Sequence, residues 1–292
     1  MEKLTVNAPA KINLYLEITA KRPDGYHDIE SVMQSVTLFD TLHFEKKEGK
    51  GRNITLTSDS ASMPCDGTNL ICKAAVALFE AADISEYELS VHVEKRIPMA
   101  AGLGGGSADA AAALMAVNEL YSIGFDEDRL CAMGARLGAD VPFCVKRGIA
   151  VTRGIGDVMS DCPRLPDCYI AVACKGEGVS TPWAYKKLDG MYDFASRNTD
   201  FEAFTAALKA GNINAVCEKM TNIFESAVLP ERPVARMIRD TFDSFGALRS
   251  MMSGSGPSVI GIFESLDLAE AAKAKLGDAD IEVRITKPYY PA

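Results

Sequence analysis

Residues 98–120, PMAAGLGGGSADAAAALMAVNEL, leave the backbone few choices, because a glycine-rich turn runs straight into an alanine-rich segment. Gly102, Gly104, Gly105 and Gly106 lack a Cβ, so the chain there can take positive φ and come close to a ligand that side chains would push away. From Ser107 onward nearly every residue is a good helix former. Ala110, Ala113, Leu114, Val117 and Tyr121 recur at the spacing of one buried helix face. Upstream, Leu89, Val91 and Val93 alternate with polar residues as a half-buried strand should, and Pro98 is expected to end that strand. A strand, a glycine turn and a helix in succession present a helix N-terminus, with unpaired N–H groups and about half a positive charge. Such an end favours an anion, phosphate above all.

Two common phosphate motifs are excluded. A Walker A loop needs Lys and then Ser or Thr after its last glycine, and Gly106 is followed by Ser107 and Ala108. The dinucleotide fingerprint needs a third glycine where this chain has Ser107 or Asp109, depending on the starting glycine. Any catalytic lysine must therefore come from another stretch. A formal charge of -9 argues against a nucleic-acid partner, which wants a basic face, but leaves room for a small anionic ligand. The eight cysteines form no C-x-x-C pair and there are only three histidines, so no metal cluster is expected and the thiols read as free in a reducing cytoplasm. The N-terminus lacks the apolar core of a signal peptide. No apolar run reaches the ~20 residues of a membrane helix.

Along the chain, residues 10–18 read as a strand started by Pro9, with Ile12, Leu14, Leu16 and Ile18 on one side and Lys11, Asn13, Tyr15 and Glu17 on the other. By pattern alone the second side reads as solvated. Pro23, Asp24 and Gly25 supply a turn before Tyr26 and His27, and by composition these two read as a packed tyrosine and an exposed histidine. Residues 29–44 are expected to be extended, 46–53 a polar hairpin tip, 54–57 a strand and 69–82 a helix facing inward with Leu70, Ala74, Ala77 and Leu78. A further helix should begin at Asp126 and end at Gly138. Residues 140–143 should be extended, because Pro142 disfavours the α region at Val141, which leaves Asp140 as an ordinary turn residue. After a strand at 149–152, the glycines and prolines between Gly154 and Pro166 mark a domain boundary, giving domains 1–156 and 157–292. The second half reads as strands at 169–174, 247–252, 258–263 and 281–286, a loop holding Gly176, Gly178 and Pro182, and helices at 201–210, 212–227, 231–244 and 268–276. Helices with an antiparallel sheet make an α+β domain.

Three separated stretches, PAKINLYL from Pro9, PMAAGLGGGSADAA from Pro98 and SGSGPSVIGIF from Ser253, resemble in order and spacing the three motifs of the GHMP small-molecule kinases. DGYH from Asp24, LGADVPF from Leu137 and GVSTPWAY from Gly178 resemble the branch whose acceptor is a CDP-linked methylerythritol of the non-mevalonate isoprenoid route. The resemblance implies a two-domain α+β fold, with an N-terminal α/β domain of the ribosomal protein S5 domain 2 type that binds ATP and a C-terminal ferredoxin-like α+β domain. It implies transfer of the ATP γ-phosphoryl, with Mg²⁺, to a hydroxyl of that acceptor.

Residue by residue, the resemblance makes Lys11 and Asp140 the catalytic pair, with Lys11 holding Asp140 ionised as the base. It makes Pro98, Met99, Ala100, Ala101, Gly102, Leu103, Gly104, Gly105, Gly106, Ser107 and Ala108 the nucleotide loop, with Ser107 near Mg²⁺. Asn69 and Lys95 match nucleotide contacts. Tyr26 and Tyr185 match a cytosine sandwich, His27 the reader of the base edge, and Asn13 and Thr181 neighbours of the diol. Two positions depart from the pattern: Tyr185 stands where Phe is expected and Ala108 where a second Ser is common. Other readings are a GHMP kinase for homoserine, mevalonate or a sugar, and a non-catalytic nucleotide-binding protein. The oligomeric state is left open between a monomer and a weak homodimer.

Overall fold

A computed structural model describes residues 2–194 and 200–291; the ends of the two expected domains, residues 1 and 292, lie outside the described residues. Strands β1 (Glu2–Lys21) and β2 (His27–Lys46) each run through two units. One unit comprises the chain up to Ala10 with Leu38–Ile97 and Gly104–Arg147, and the other Lys11–Thr37, Pro98–Leu103 and the chain from Gly148 onward. Pro9 therefore lies inside β1 and does not start it. β1 pairs with β8 (Thr221–Asn222) only at Tyr15 and Leu16, so at Pro9 that side of the strand has no ladder for a missing N–H to break.

The first unit continues with β3 (Arg52–Ser58), α1 (Leu70–Ala81), β4 (Tyr87–Glu94), α2 (Gly105–Leu120), α3 (Glu127–Ala135) and α4 (Val141–Lys146). β4 pairs antiparallel with β2 and parallel with β3, so it lies between them and residues 47–51 are not a hairpin tip. The parallel pair needs a crossover, which α1 supplies. β4 ends at Glu94, four residues before Pro98, with Leu89, Val91 and Val93 buried as their alternation requires. Asn69 caps α1 by accepting from the Ile71 N–H at 2.9 Å. The buried face of α1 is Ile71, Cys72, Ala74, Ala75, Leu78 and Phe79, while Leu70 and Ala77 lie at its half-buried margin.

α2 starts two residues before Ser107, because Gly104 takes a left-handed φ of 68° and turns the chain into the helix. It packs against both α1 and α4, which buries residues 108–114 without a break. Alanine-rich faces allow that all-round burial, where one face was expected. Asp126 caps α3 through Arg129 N–H, and the helix ends at Ala135, before Gly138. Residues 140–143 are not extended: Asp140 has φ -83° and ψ -13°, and Pro142 sits in the first turn of α4. A first-turn N–H has no acceptor within the helix, so proline removes no helix hydrogen bond there and is tolerated.

In the second unit β5 (Ile149–Arg153) and β6 (Val158–Asp161) form an antiparallel hairpin whose turn uses Gly154 at φ 64° and Gly156 at φ 105°. The hairpin turn thus occupies the start of the stretch expected to mark the domain boundary. There follow β7 (Tyr169–Ala173), α5 (Thr181–Asp189), α6 (Phe201–Lys209), α7 (Ile213–Lys219), β8, α8 (Phe224–Val228), α9 (Pro233–Ser244), β9 (Arg249–Met252), β10 (Val259–Phe263), α10 (Leu266–Gly277) and β11 (Val283–Thr286). The expected loop around Pro182 is helical for the same first-turn reason as at Pro142, and the expected helix 212–227 is split by β8. β11, β7, β10 and β9 pair in that order, all antiparallel, as the α+β reading requires. α9 and α10 cover this sheet with Ile238, Phe242, Ala269, Ala272 and Leu276. Phe242 meets Phe263 edge-on at 5.9 Å, and a Cβ on Gly261 would stand 2.9 Å from the Phe242 ring. Phe242→Ala would remove about 3–5 kcal/mol.

Candidate active site

The face of β1 that carries Lys11 is buried, not solvated: Lys11 is 5 % and Asn13 3 % exposed, and Tyr15 and Glu17 are also inside. Within the second unit that face meets two backbone turns. Lys11 donates its N–H to Leu103 O at 2.9 Å, and Asn13 N–H donates to Ser253 Oγ at 3.4 Å. Ser253 Oγ in turn donates to Gly102 O, and Ser258 N–H to Ala101 O. The loop and the turn meet backbone to backbone: a Cβ on Gly102, at φ 79°, would stand 2.1 Å from Ser253 O. A Cβ on Gly254 would stand 3.0 Å from Gly102 O and 3.4 Å from Lys11 Nζ. Only glycine permits that approach. Lys11 Nζ donates to Asn13 Oδ1 at 2.8 Å, and Asn13 Nδ2 donates to Ser31 Oγ at 3.0 Å, which orients the amide so that its oxygen faces the ammonium.

Sequence reasoning gave no role to Ser31, Asp189, Asn222, Ser253 or Ser255, all of which hold this region. Asn222 donates to Met252 O and Gly254 O and accepts from Phe224 N–H, so one amide fixes the 253–256 turn. Ser255 Oγ and Thr181 Oγ1 are 2.9 Å apart. The SGSGP string signalled the turn, but nothing local pointed to its partners.

Of the residues matched to cytosine, Tyr26 is 62 % exposed and His27 is buried, reversing the compositional expectation. The His27 ring stacks on Tyr185 at 4.7 Å and 20°, and Tyr185 meets Phe224 edge-on. His27 Nε2 lies 2.7 Å from Asp189 Oδ1, and Lys21 donates to the other carboxylate oxygen at 2.7 Å. Partial burial pushes the Asp189 carboxyl upward, but the hydrogen bonds from Lys21 and His27 outweigh it and hold the group below its ordinary range.

In the first unit the glycine-rich stretch ends in the N-terminus of α2, where Gly106 is exposed and Ser107 half-buried. The first-turn N–H groups have no acceptor within the helix. A Cβ on Gly106 would touch only Leu70 Cδ1, at 3.8 Å, so the approach to this end is open. The turn carrying Asp140 passes the same end: a Cβ on Gly138 would lie 3.8 Å from Ser107 Oγ. Asn69 is occupied as the cap of α1, its amide donating to Pro64 O. The Lys95 ammonium donates to Asp40 and Asp109; burial pulls it down, but the two carboxylates hold it above its ordinary value. No group of three or more His, Cys, Asp or Glu side chains that could hold a metal occurs among the described residues. The eight cysteines are in no disulfide, and burial pushes the Cys162, Cys168 and Cys217 thiols up to about 12, which keeps them protonated near neutral pH. No described helix is long and apolar enough to cross a membrane.

Family models for the GHMP kinase N-terminal domain and the GHMP kinase C-terminal domain match residues 69–148 and 204–281. A 4-diphosphocytidyl-2-C-methyl-D-erythritol kinase of Acetivibrio thermocellus is 39 % identical over 98 % of this chain and 99 % of its own. The enzyme of that name from Exiguobacterium sibiricum is 41 % identical over 91 % of each chain. Among solved structures, a 4-(cytidine 5'-diphospho)-2C-methyl-D-erythritol kinase superposes with a TM-score of 0.82 at 30 % identity, covering 98 % of this chain and all of its own. A homoserine kinase from Cytophaga hutchinsonii reaches 0.75 at 19 % identity, covering 99 % and 95 %, which shows shared fold alone. With motif order, two-domain α+β fold and whole-length similarity in agreement, the chain belongs to the GHMP kinases, ATP-dependent small-molecule kinases, on the branch of the 4-diphosphocytidyl-2-C-methyl-D-erythritol kinases.

Proposed function

We propose that this chain transfers the γ-phosphoryl of ATP to the 2-hydroxyl of 4-diphosphocytidyl-2-C-methyl-D-erythritol, a step of the non-mevalonate route to isoprenoid precursors. The observation that carries the reading is the whole-length similarity to enzymes of that name at 34–41 % identity, against 13–20 % for the homoserine and mevalonate kinases. The burial of His27 against Tyr185 supports it further, since an acceptor without a base has no use for an oriented imidazole between aromatic rings. The family models fall on either side of residue 156, in keeping with an ATP-binding domain 1–156 and a second domain 157–292.

Phosphoryl transfer asks a protein mainly to position groups and stabilise charge. Residues 98–108 and Asn69, with Lys95, take the nucleotide, its phosphates lying at the N-terminus of α2. Asp140 accepts the proton of the acceptor hydroxyl. Lys11 keeps Asp140 ionised and gives a positive charge to the transferring oxygens. Ser107 Oγ would be the protein oxygen holding Mg²⁺ beside the ATP phosphates, where the ion would neutralise phosphate charge. Tyr26 and Tyr185 flank cytosine, His27 reads its edge, and Asn13 and Thr181 hold the diol. The Tyr185 ring keeps the stacking surface of Phe, and Ala108 leaves Ser107 as the one side-chain hydroxyl of residues 98–108. The protein works in the cytoplasm, on small molecules.

The test is phosphate transfer from γ-labelled ATP, comparing the CDP-linked acceptor with free methylerythritol, homoserine and mevalonate. Transfer to the CDP-linked compound alone is expected. Transfer to another acceptor would overturn the cytosine residues, and ATP binding without transfer would favour a non-catalytic protein.

A further inference from the structure

Three charged side chains lie buried in the first unit with a count that does not balance. Lys95 Nζ donates to Asp109 Oδ2 at 2.8 Å and to Asp40 Oδ2, and the three side chains are 6 %, 5 % and 0 % exposed. Two carboxylates thus share one ammonium. Asp40, on β2, also accepts the backbone N–H groups of Arg96 at 2.6 Å and Ile97 at 2.9 Å. Asp109 stands in the second turn of α2, and its Oδ1 is buried with no hydrogen-bond partner among the described residues.

The cluster ties down both ends of the glycine-rich loop. Arg96 and Ile97 are the last residues before Pro98, and α2 begins directly after Gly104. A Cβ on Gly105 would stand 3.0 Å from Ile97 Cγ2 and 3.5 Å from Lys95 Nζ, so the ammonium lies beneath the first residue of the helix. A buried ion pair adds little stability over well-packed apolar groups, because desolvation offsets the attraction. What it does supply is geometry: one donor atom shared by two carboxylates on different elements fixes their separation.

We propose that Asp109 is a positioning residue for the nucleotide: through Lys95 it clamps the first turns of α2 to the strand exit at Arg96 and Ile97, setting the spacing of the loop ends that take the phosphates. The inference rests on the reading of residues 98–108 as the ATP loop. Burial pushes the Asp109 carboxyl up to about 7, with Asp40 adding to the shift and Lys95 opposing it, so the clamp holds a proton near neutrality that relieves the unbalanced charge.

Asp109→Ala cuts the clamp and leaves Lys95 and Asp40 as a neutral pair; Asp109→Asn keeps an oxygen for Lys95. In the full chain with saturating acceptor, Asp109→Ala should raise KM for ATP about tenfold while kcat stays within about threefold, the loss expected for a hydrogen bond to a charged group. Asp109→Asn should return KM for ATP to within about threefold of wild type. Unchanged KM for ATP in Asp109→Ala, or an Asn variant as impaired as the Ala variant, would overturn the clamp. If Asp109→Ala does not fold, Asp109→Glu decides, because it keeps the carboxylate and lengthens the link to Lys95 by one methylene: a raised KM for ATP at unchanged kcat supports the clamp, and an unchanged KM overturns it. Direct titration with ATP separates the two readings. Wild type that does not bind ATP would sink the loop reading and the clamp with it, whereas equal affinity in wild type and Asp109→Ala would sink the clamp alone.

Discussion

Lys11 and Lys95 are buried to nearly the same depth, yet their surroundings differ in kind. Lys11 is 5 % exposed and donates a hydrogen bond to the amide oxygen of Asn13. The Lys95 side chain is 6 % exposed and donates to two carboxylates, which more than cancel it. A lysine shared by two buried carboxylates is tied to both of the elements that carry them, so its removal is felt by the fold. Depth of burial therefore does not separate the lysine proposed to serve the reaction from the one beneath the helix start.

The largest effect expected from this comparison is at Lys11. Lys11→Met should lower kcat by about 10³-fold, the scale of losing a charge aimed at the transition state. A variant within tenfold of wild type would erase the distinction. Lys95→Met should act the other way, leaving two uncompensated carboxylates and destabilising by about 3–5 kcal/mol in denaturant unfolding. Unchanged stability there would break the scaffold half of the comparison.

A smaller effect belongs to the glycine contact beside Lys11. Gly102→Ala meets both a φ of 79° and Ser253 O at 2.1 Å, so the loop must move off the turn. The expected cost is about 1–3 kcal/mol, with a weaker grip on ATP measured by titration. Wild-type affinity and stability would show that the close approach is dispensable.

The smallest effect is in pH. The Asp109 carboxyl is raised from 3.8 to about 7 by burial, so the folded chain binds more protons than the unfolded one between those values. Its contribution is present at low pH and is lost as pH rises toward 7. Asp109→Asn, neutral throughout, should match wild-type Tm near pH 5 and gain on it by pH 8. Parallel Tm curves would mean that Asp109 carries no shifted proton.

The glycine loop, its strand and its helix were legible because glycine content and alanine runs act locally: Gly104 sets the helix start through its own φ, and Asn69 and Asp126 cap helices through bonds two and three residues away. What was not legible depends on distant chain. Lys11 and Asn13 look like a solvated strand face until the turn at Ser253, 240 residues from Asn13, covers them. β4 enters between β2 and β3, and no local pattern states strand order. Pro142 and Pro182 were misread because proline forbids helix interiors but not first turns. The role of Lys95 needed Asp40, 55 residues away, and that of His27 needed Asp189, 162 residues away.

The most direct test of the account is to compare kcat/KM for the CDP-linked acceptor with that for the same acceptor linked to UDP, at saturating ATP. A site that orients His27 through Asp189 to read a base edge should prefer cytosine by about 10²-fold or more, since the wrong base leaves buried polar groups unpaired. Equal efficiency on the two acceptors would contradict the cytidine reading, even with ATP-dependent transfer intact.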